Sequence, residues 1–320
     1  MQNTVNPILT RSNVRVSGRG AQAIVLLHGL GCNQTLWQAL LPAFEARYRV
    51  VLLDLIGCGE SEVAAYDRER HDTLAGHATD LLAVLAALEL TNVVFVGHSV
   101  VAMIGVIAAV REPARFARLV LLSPSPRFLN GRDYVGGYER ADLEELLGFL
   151  QVDQPGWSAA VAGLVVGDND QPELMMAFSN SFANTNPEVM RHFARVAFMC
   201  DCRDQLPLVS TPTLIVQAAR DAMAPLGVGH YIYEQLPDSQ LAIIDTSGHC
   251  PHLTAPQQTL AAIGRFLGRD LVLPGPAAGP TVALAHTGAA WPAGVGGPAV
   301  ATAFIPPVVP VPPARLTAVG

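Results

Sequence analysis

The chain has 320 residues, half of them hydrophobic and 15% charged, with a formal net charge of −7. That length buries a large core, as one large α/β domain or two smaller ones, and an acidic balance without any basic cluster argues against a nucleic-acid footprint. The first residues lack the basic start and apolar core of a signal peptide, and no apolar run approaches the ~20 residues that span a bilayer, so a cytoplasmic protein with no membrane association is expected. Five scattered cysteines, Cys32, Cys58, Cys200, Cys202 and Cys250, form no disulfide framework and fit reduced thiols. Cys200 and Cys202 flank Asp201 like half of a metal site, but no second pair or His cluster completes it, so both are read as ordinary thiols.

In chain order, residues 14–16 suit an edge strand and residues 23–28, AIVLLH, a buried one. A glycine-bearing loop from His28 to Gly31 leads to a helix over 34–44 that carries Trp37. Residues 49–54 form the next strand, and a Gly-rich turn follows it. Apolar residues at helical spacing predict a helix over 74–90. Residues 93–96 are a short β-branched strand, 100–110 a buried helix, and 118–123 the next strand. This alternation predicts a mostly parallel central sheet with helices on both faces.

Between residues 126 and 208 no buried strand is legible. Four helices are expected, over 138–150, 157–166, 173–182 and 187–200, with Pro155, Pro172 and Pro187 near their starts. Such a block reads as an inserted lid over the carboxyl ends of the strands, where ligands bind in these sheets. Strands resume at 212–217 and 240–245, with helices over 227–236 and 256–268. The expected division is a core of residues 1–125 and 209–270, a helical lid of 126–208, and a low-complexity tail of 271–320. That tail holds ten of the 24 prolines and one charged residue, Arg315, and shows no helical or strand period.

The chemistry centres on Gly97-His98-Ser99-Val100, where a strand turns straight into a helix. A serine at such an apex is pushed out beside backbone N–H groups and the positive helix end, the nucleophile-elbow arrangement. The motif's second glycine is Val101 here, which fits close packing less well. Taken alone the stretch is also compatible with a small polar turn. Two further residues decide for chemistry: Asp221, just past a late strand, and His249, just past the last one. Ser99, Asp221, His249 is the chain order of the α/β-hydrolase triad, and parallel strands bring all three to one edge of the sheet.

Each role has rivals. Asp204, Asp238 and Asp245 compete with Asp221, and Asp245 lies too near His249 in sequence to approach from a neighbouring loop. His252 competes with His249. His98 and His28 are read as structural, the latter fixing its loop by hydrogen bonding, and Asp54 as tying up its own turn. A serine hydroxyl needs a base within reach, which His249 supplies, and Asp221 would hold the imidazole tautomer. The N–H groups of Leu30 and Val100 are the expected oxyanion donors.

The segments GHSVVAMIG, SPSPRFLN, DYVGGYE and GHCPHLTAP together resemble the RsbQ family of bacterial stress-response regulators, relatives of the plant strigolactone and karrikin receptors. The resemblance covers about residues 6–268. It implies an α/β-hydrolase fold, the triad above, and Phe128, Trp157 and Phe198 lining a small hydrophobic pocket under the lid, although each of the three is equally readable as lid packing. It further implies slow hydrolysis of a small apolar ester or lactone-like molecule, no cofactor or metal, and a signalling protein partner at the lid. Against this sensor stands an ordinary metabolic carboxylesterase, and third a cofactor-free haloperoxidase-like or carbon–carbon hydrolase. Dehalogenases and epoxide hydrolases are disfavoured, because they place aspartate where this chain has Ser99.

Overall fold

The computed structural model describes residues 6–168 and 170–273. Among them a seven-stranded sheet runs in the order β1-β3-β2-β4-β5-β6-β7: β1 (Arg15–Ser17), β2 (Ala23–Leu27), β3 (Arg49–Leu53), β4 (Val93–His98), β5 (Phe116–Leu122), β6 (Thr213–Arg220) and β7 (Ser239–Ser247). Only β1, at the edge, pairs antiparallel; every other neighbour is parallel. The α/β-hydrolase architecture expected from the sequence is therefore the one observed.

The inner strands β2, β3 and β4 read as unbroken apolar runs because both faces of the sheet are covered there. Successive side chains point to opposite faces. Val25, Leu27, Val93 and Phe95 join one core with helices α3 (Leu74–Ala87) and α4 (Ala102–Arg111). Ile24, Leu26, Val94 and Val96 join the other, with Trp37, Phe44 and Ile263.

Between β5 and β6 come the four expected helices: α5 (Arg140–Val152), α6 (Gln154–Val166), α7 (Pro172–Asn184) and α8 (Pro187–Met199); α9 (Leu226–Gln235) joins β6 to β7. Their starts follow capping chemistry. Glu139 and Asp142 form a reciprocal capping box at α5, Asp153 accepts from Gly156 N at α6, and Asn186 accepts from Glu188 N and Val189 N at α8. Leu143, Trp157, Phe182 and Phe193 belong to the same continuous apolar cluster as α3 and α4. The segment leading into the block is held by paired loops. Leu129 bridges Tyr138, and Gly137 N donates to Asn130 Oδ1.

Three details depart from expectation. The helix expected over 34–44 is a 3-10 turn at Gln34–Trp37, capped by Asn33, and a separate short helix α2 (Leu41–Glu45). Pro42 explains the break, since it cannot donate to a preceding turn and instead opens a new one. A short helix α1 (Pro7–Arg11), capped by Asn6, precedes β1. Finally, the tail does not begin at 271: Leu271 is buried in the core beneath the sheet and Leu273 packs against it, beyond the helix α11 (Pro256–Leu267) that ends at Gly268 in the left-handed conformation. The remainder of that segment, 274–320, lies outside the described residues. Among the described residues no helix is long and apolar enough to cross a membrane.

Because Leu271 fills a core position, Leu271→Ala is expected to destabilise the protein by about 2–3 kcal/mol. Urea unfolding of that variant checks it. An unchanged midpoint would return Leu271 to the tail.

Candidate active site

Ser99 follows the last residue of β4 directly and begins a 3-10 turn, Ser99–Val101, that runs into α4. Its φ is +64°, in the left-handed region that a non-glycine residue avoids. Such a conformation costs on the order of 1–3 kcal/mol and persists only where the surroundings over-determine it. The surroundings here are tight. A Cβ on Gly97 would come within 2.9 Å of Ala102 Cα, and one on Gly105 within 2.0 Å of the Phe95 ring. Close approach of helix to strand thus rests on Gly97 and Gly105. That explains why Val101, fully buried, is tolerated where the motif has glycine.

The carboxyl ends of β6 and β7 bring the other two residues to the same edge. His249 Nε2 lies 2.8 Å from Ser99 Oγ, and His249 Nδ1 lies 2.8 Å from Asp221 Oδ2. Asp221 is itself fixed: its Oδ1 accepts from Met223 N at 2.8 Å and Ala224 N at 3.0 Å, and its Oδ2 accepts from Gln217 Nε2 at 3.3 Å. Carboxylate oxygens so occupied have little freedom to turn away from the ring. Gly248, at φ +92°, sets the His249 loop; a Cβ there would meet Val166 O at 2.4 Å. The backbone of His249 donates to Val165 O at 2.7 Å, so this loop is bonded to the end of α6.

The rivals are placed elsewhere. Asp204 and Asp238 are exposed. Asp245 pairs with Arg220 at the surface. His252, in a short helix α10 (Pro251–Thr254), is buried between Trp37 and His98, with ring centroids 5.0 and 4.9 Å away. His98 lies behind the elbow, where its Nε2 donates to the His249 carbonyl at 2.9 Å. His28 accepts from Leu55 N through Nε2 at 3.1 Å and contacts Gly29 O through Nδ1 at 2.8 Å, the loop-fixing role expected of it. Asp54 accepts from Glu60 N in its own turn, and also from Gln34 N and the Asn13 side chain.

A cavity of about 40 Å³ adjoins Ser99. Leu30, Val100, Phe128, Trp157, Phe198 and His249 all line it, so every residue expected of the oxyanion donors and pocket lies at its wall. Phe178 and Phe182 also line it and escaped the sequence reading. The signal was present: they stand four apart on α7, as Trp157, Val161 and Val165 do on α6, and each series puts one helix face on the cavity. Phe128 and Phe198 meet edge to face at 5.3 Å.

A family profile described as the alpha/beta hydrolase fold matches residues 22–256. The chain is similar to the strigolactone esterase D14 of Arabidopsis thaliana, with 38% identity over 263 residues, 82% of this chain and 98% of the relative. It is similar to the karrikin insensitive 2 receptor CA of Petunia hybrida, with 35% identity over 262 residues, covering 82% of this chain and 97% of the relative. Among solved structures, a hydrolase from Oleispira antarctica superposes with a TM-score of 0.80 at 38% identity, covering 82% of this chain and 97% of that one.

The buried histidines make stability depend on pH. Burial, followed by the neighbouring His249, depresses His252 to about 3. Burial also lowers His98 and His28. These rings are neutral in the folded chain and protonate near 6.5 once unfolded. Between those values the unfolded state binds more protons, so stability is full above about pH 6.5 and falls as pH drops. For His252 the window runs from 6.5 down to about 3, at up to roughly 1.4 kcal/mol per pH unit. Urea unfolding at pH 7.5 and 5.5 should show the loss, and His252→Phe should reduce its slope. An equal slope in that variant would contradict the assignment.

Proposed function

The chain belongs to the alpha/beta hydrolase family, and from that membership we propose that it hydrolyses small apolar esters or lactones through Ser99, His249 and Asp221. The observation that carries this reading is the unbroken hydrogen-bonded series from Asp221 through His249 to a Ser99 held at positive φ. Ser99 Oγ attacks the carbonyl carbon while His249 Nε2 takes its proton. Asp221 stabilises the imidazolium and fixes its tautomer. The oxyanion is held by the N–H groups of Leu30 and Val100, each such donor contributing roughly 3 kcal/mol in comparable sites. The imidazolium then returns its proton to the leaving alkoxide, and water, activated by the same ring, cleaves the acyl-serine. No step calls for a cofactor or metal. Five free cysteines fit the reducing, cytoplasmic setting this reading assumes.

The biological use we propose is RsbQ-like sensing. One observation favours it over plain metabolic turnover: the cavity beside Ser99 is narrow and walled by aromatic side chains. Trp157, Phe128 and Phe198 are nearly wholly buried around it. A ligand larger than a few atoms must displace them, and ligand occupancy is then tied to the position of α5–α8. Phe149 and Val152 on α5, with Met175 and Met176 on α7, are exposed apolar side chains where a protein partner would read that position. A metabolic carboxylesterase or haloperoxidase-like hydrolase needs no such coupling.

Ser99→Ala should lower p-nitrophenyl acetate hydrolysis by roughly 10³-fold or more without lowering the melting temperature. Retained activity would sink the nucleophile assignment. Trp157→Ala should cost about 3–5 kcal/mol, because the ring is fully buried, and should also raise the rate on longer acyl chains relative to acetate. Destabilisation with an unaltered chain-length preference would remove Trp157 from the acyl pocket.

A further inference from the structure

The fold assembles a buried histidine cluster that takes no part in the Ser99 cavity. His77 and Asp80 stand three apart on one face of α3, and His71 lies on the loop just before it. All three are buried, and their ligand atoms lie within 4.8 Å of one another. Among the described residues one other such grouping exists, His98, Cys250 and His252, but there His98 Nε2 already donates to the His249 carbonyl.

The hydrogen bonding shows which member of the cluster lacks a partner. His71 Nδ1 accepts from Asp67 N at 3.1 Å, and its Nε2 then donates to Asp80 Oδ2 at 2.8 Å. An ion bound at Nε2 would take the place of that proton, and Nδ1 would donate instead to Asp67 O, 2.8 Å away. The sign of a ligand comes from His77. It is buried, and neither ring nitrogen has a hydrogen-bond partner among the described residues. No tautomer of His71 relieves that, and native interiors avoid such orphaned groups.

We infer that His71 Nε2, a ring nitrogen of His77 and an Asp80 carboxylate oxygen bind one divalent transition-metal ion of the zinc class. Two imidazoles and a carboxylate suit such an ion. Bonds of 2.0–2.1 Å set tetrahedral ligands about 3.3 Å apart, so closure from the present separations is modest. The outer partners needed to hold the ligands are in place: with an ion on Nε2, Asp67 O would receive the His71 Nδ1 proton, and Arg70 pairs with Asp80 Oδ1. The ion would act on structure. Phe193 of α8 packs on His77 at 4.6 Å, and His192 of α8 bonds to Tyr66, which stacks on His71. Binding therefore stiffens the seam between α3 and α8.

The test is calorimetric titration of the chelator-treated full chain with zinc chloride, and X-ray absorption on the loaded protein. One ion per chain is expected, bound by nitrogen and oxygen with two imidazoles, and raising the melting temperature by roughly 5 °C at ~100 times Kd. His77→Phe keeps the ring against Phe193 and should weaken binding by roughly 100-fold or more, as should Asp80→Asn, while acetate ester hydrolysis by the metal-free chain stays unchanged. Absence of saturable binding to the wild-type chain would overturn the inference. So would undiminished binding by His77→Phe, or sulfur in the coordination shell, which would place the ion at Cys250. If Asp80→Asn does not fold, His77→Phe and the absorption spectrum decide between these outcomes.

Discussion

The turn at Ser99 is the constraint on which the rest of the site depends. A non-glycine residue at φ +64° is held there only because β4 is paired on both sides, Gly97 against Leu27 and Leu121, and because α4 is pressed onto it at Gly97 and Gly105. The strand cannot slide, the helix cannot back away, and the serine takes the strain. Gly29 closes the other side, where a Cβ would stand 2.7 Å from His98 Nδ1. His98 then reaches 2.9 Å to the carbonyl of His249. One buried ring therefore registers the His249 loop against the Ser99 turn, and the 2.8 Å approach of His249 to Ser99 follows from that registration.

The helical block is not a separate layer resting on this edge. Its apolar side chains continue the core of α3 and α4, and its backbone enters the site itself, where Val165 O accepts from His249 N at 2.7 Å. Tyr138, at the entrance to the block, donates to Ala222 O at 2.9 Å, one residue past Asp221. Two of the three site residues are thus bonded, directly or through a neighbour, to the block that roofs the cavity. Any motion of that block would change the setting of His249 and Asp221 as well as the pocket.

Much of this was legible in the chain. Continuous apolar strands, the serine at a strand-to-helix turn and the loops after two late strands pointed to one sheet edge, because parallel topology leaves no other place for them. What escaped had physical reasons. Phe178 and Phe182 sit in a helix whose apolar residues read equally well as packing, and only the fold tells which face meets a cavity. Leu271 lies in a segment without period, so its burial beneath the sheet depends on a chain reversal after Gly268 that no local pattern announces. The His71, His77 and Asp80 cluster also has no metal-motif spacing, since one of its members comes from a loop. Val101 was the opposite case: the motif asked for glycine, and the structure met the requirement from Gly97 and Gly105.

Under the proposed reading, hydrolysis and sensing are not alternatives. With the aromatic side chains in place the space beside Ser99 is narrow. A ligand too large for it would bind only the fraction of molecules in which the roof had opened; its apparent affinity would be reduced by that fraction, and its binding would raise it. Opening at α6 would strain the bond from His249 N to Val165 O, because that bond joins the His249 loop to the helix. The state that admits the ligand would then not be the state with the proposed base best set, and chemistry would wait on reclosure. Slow turnover and an altered surface on α5–α8 would both follow from that one hydrogen bond.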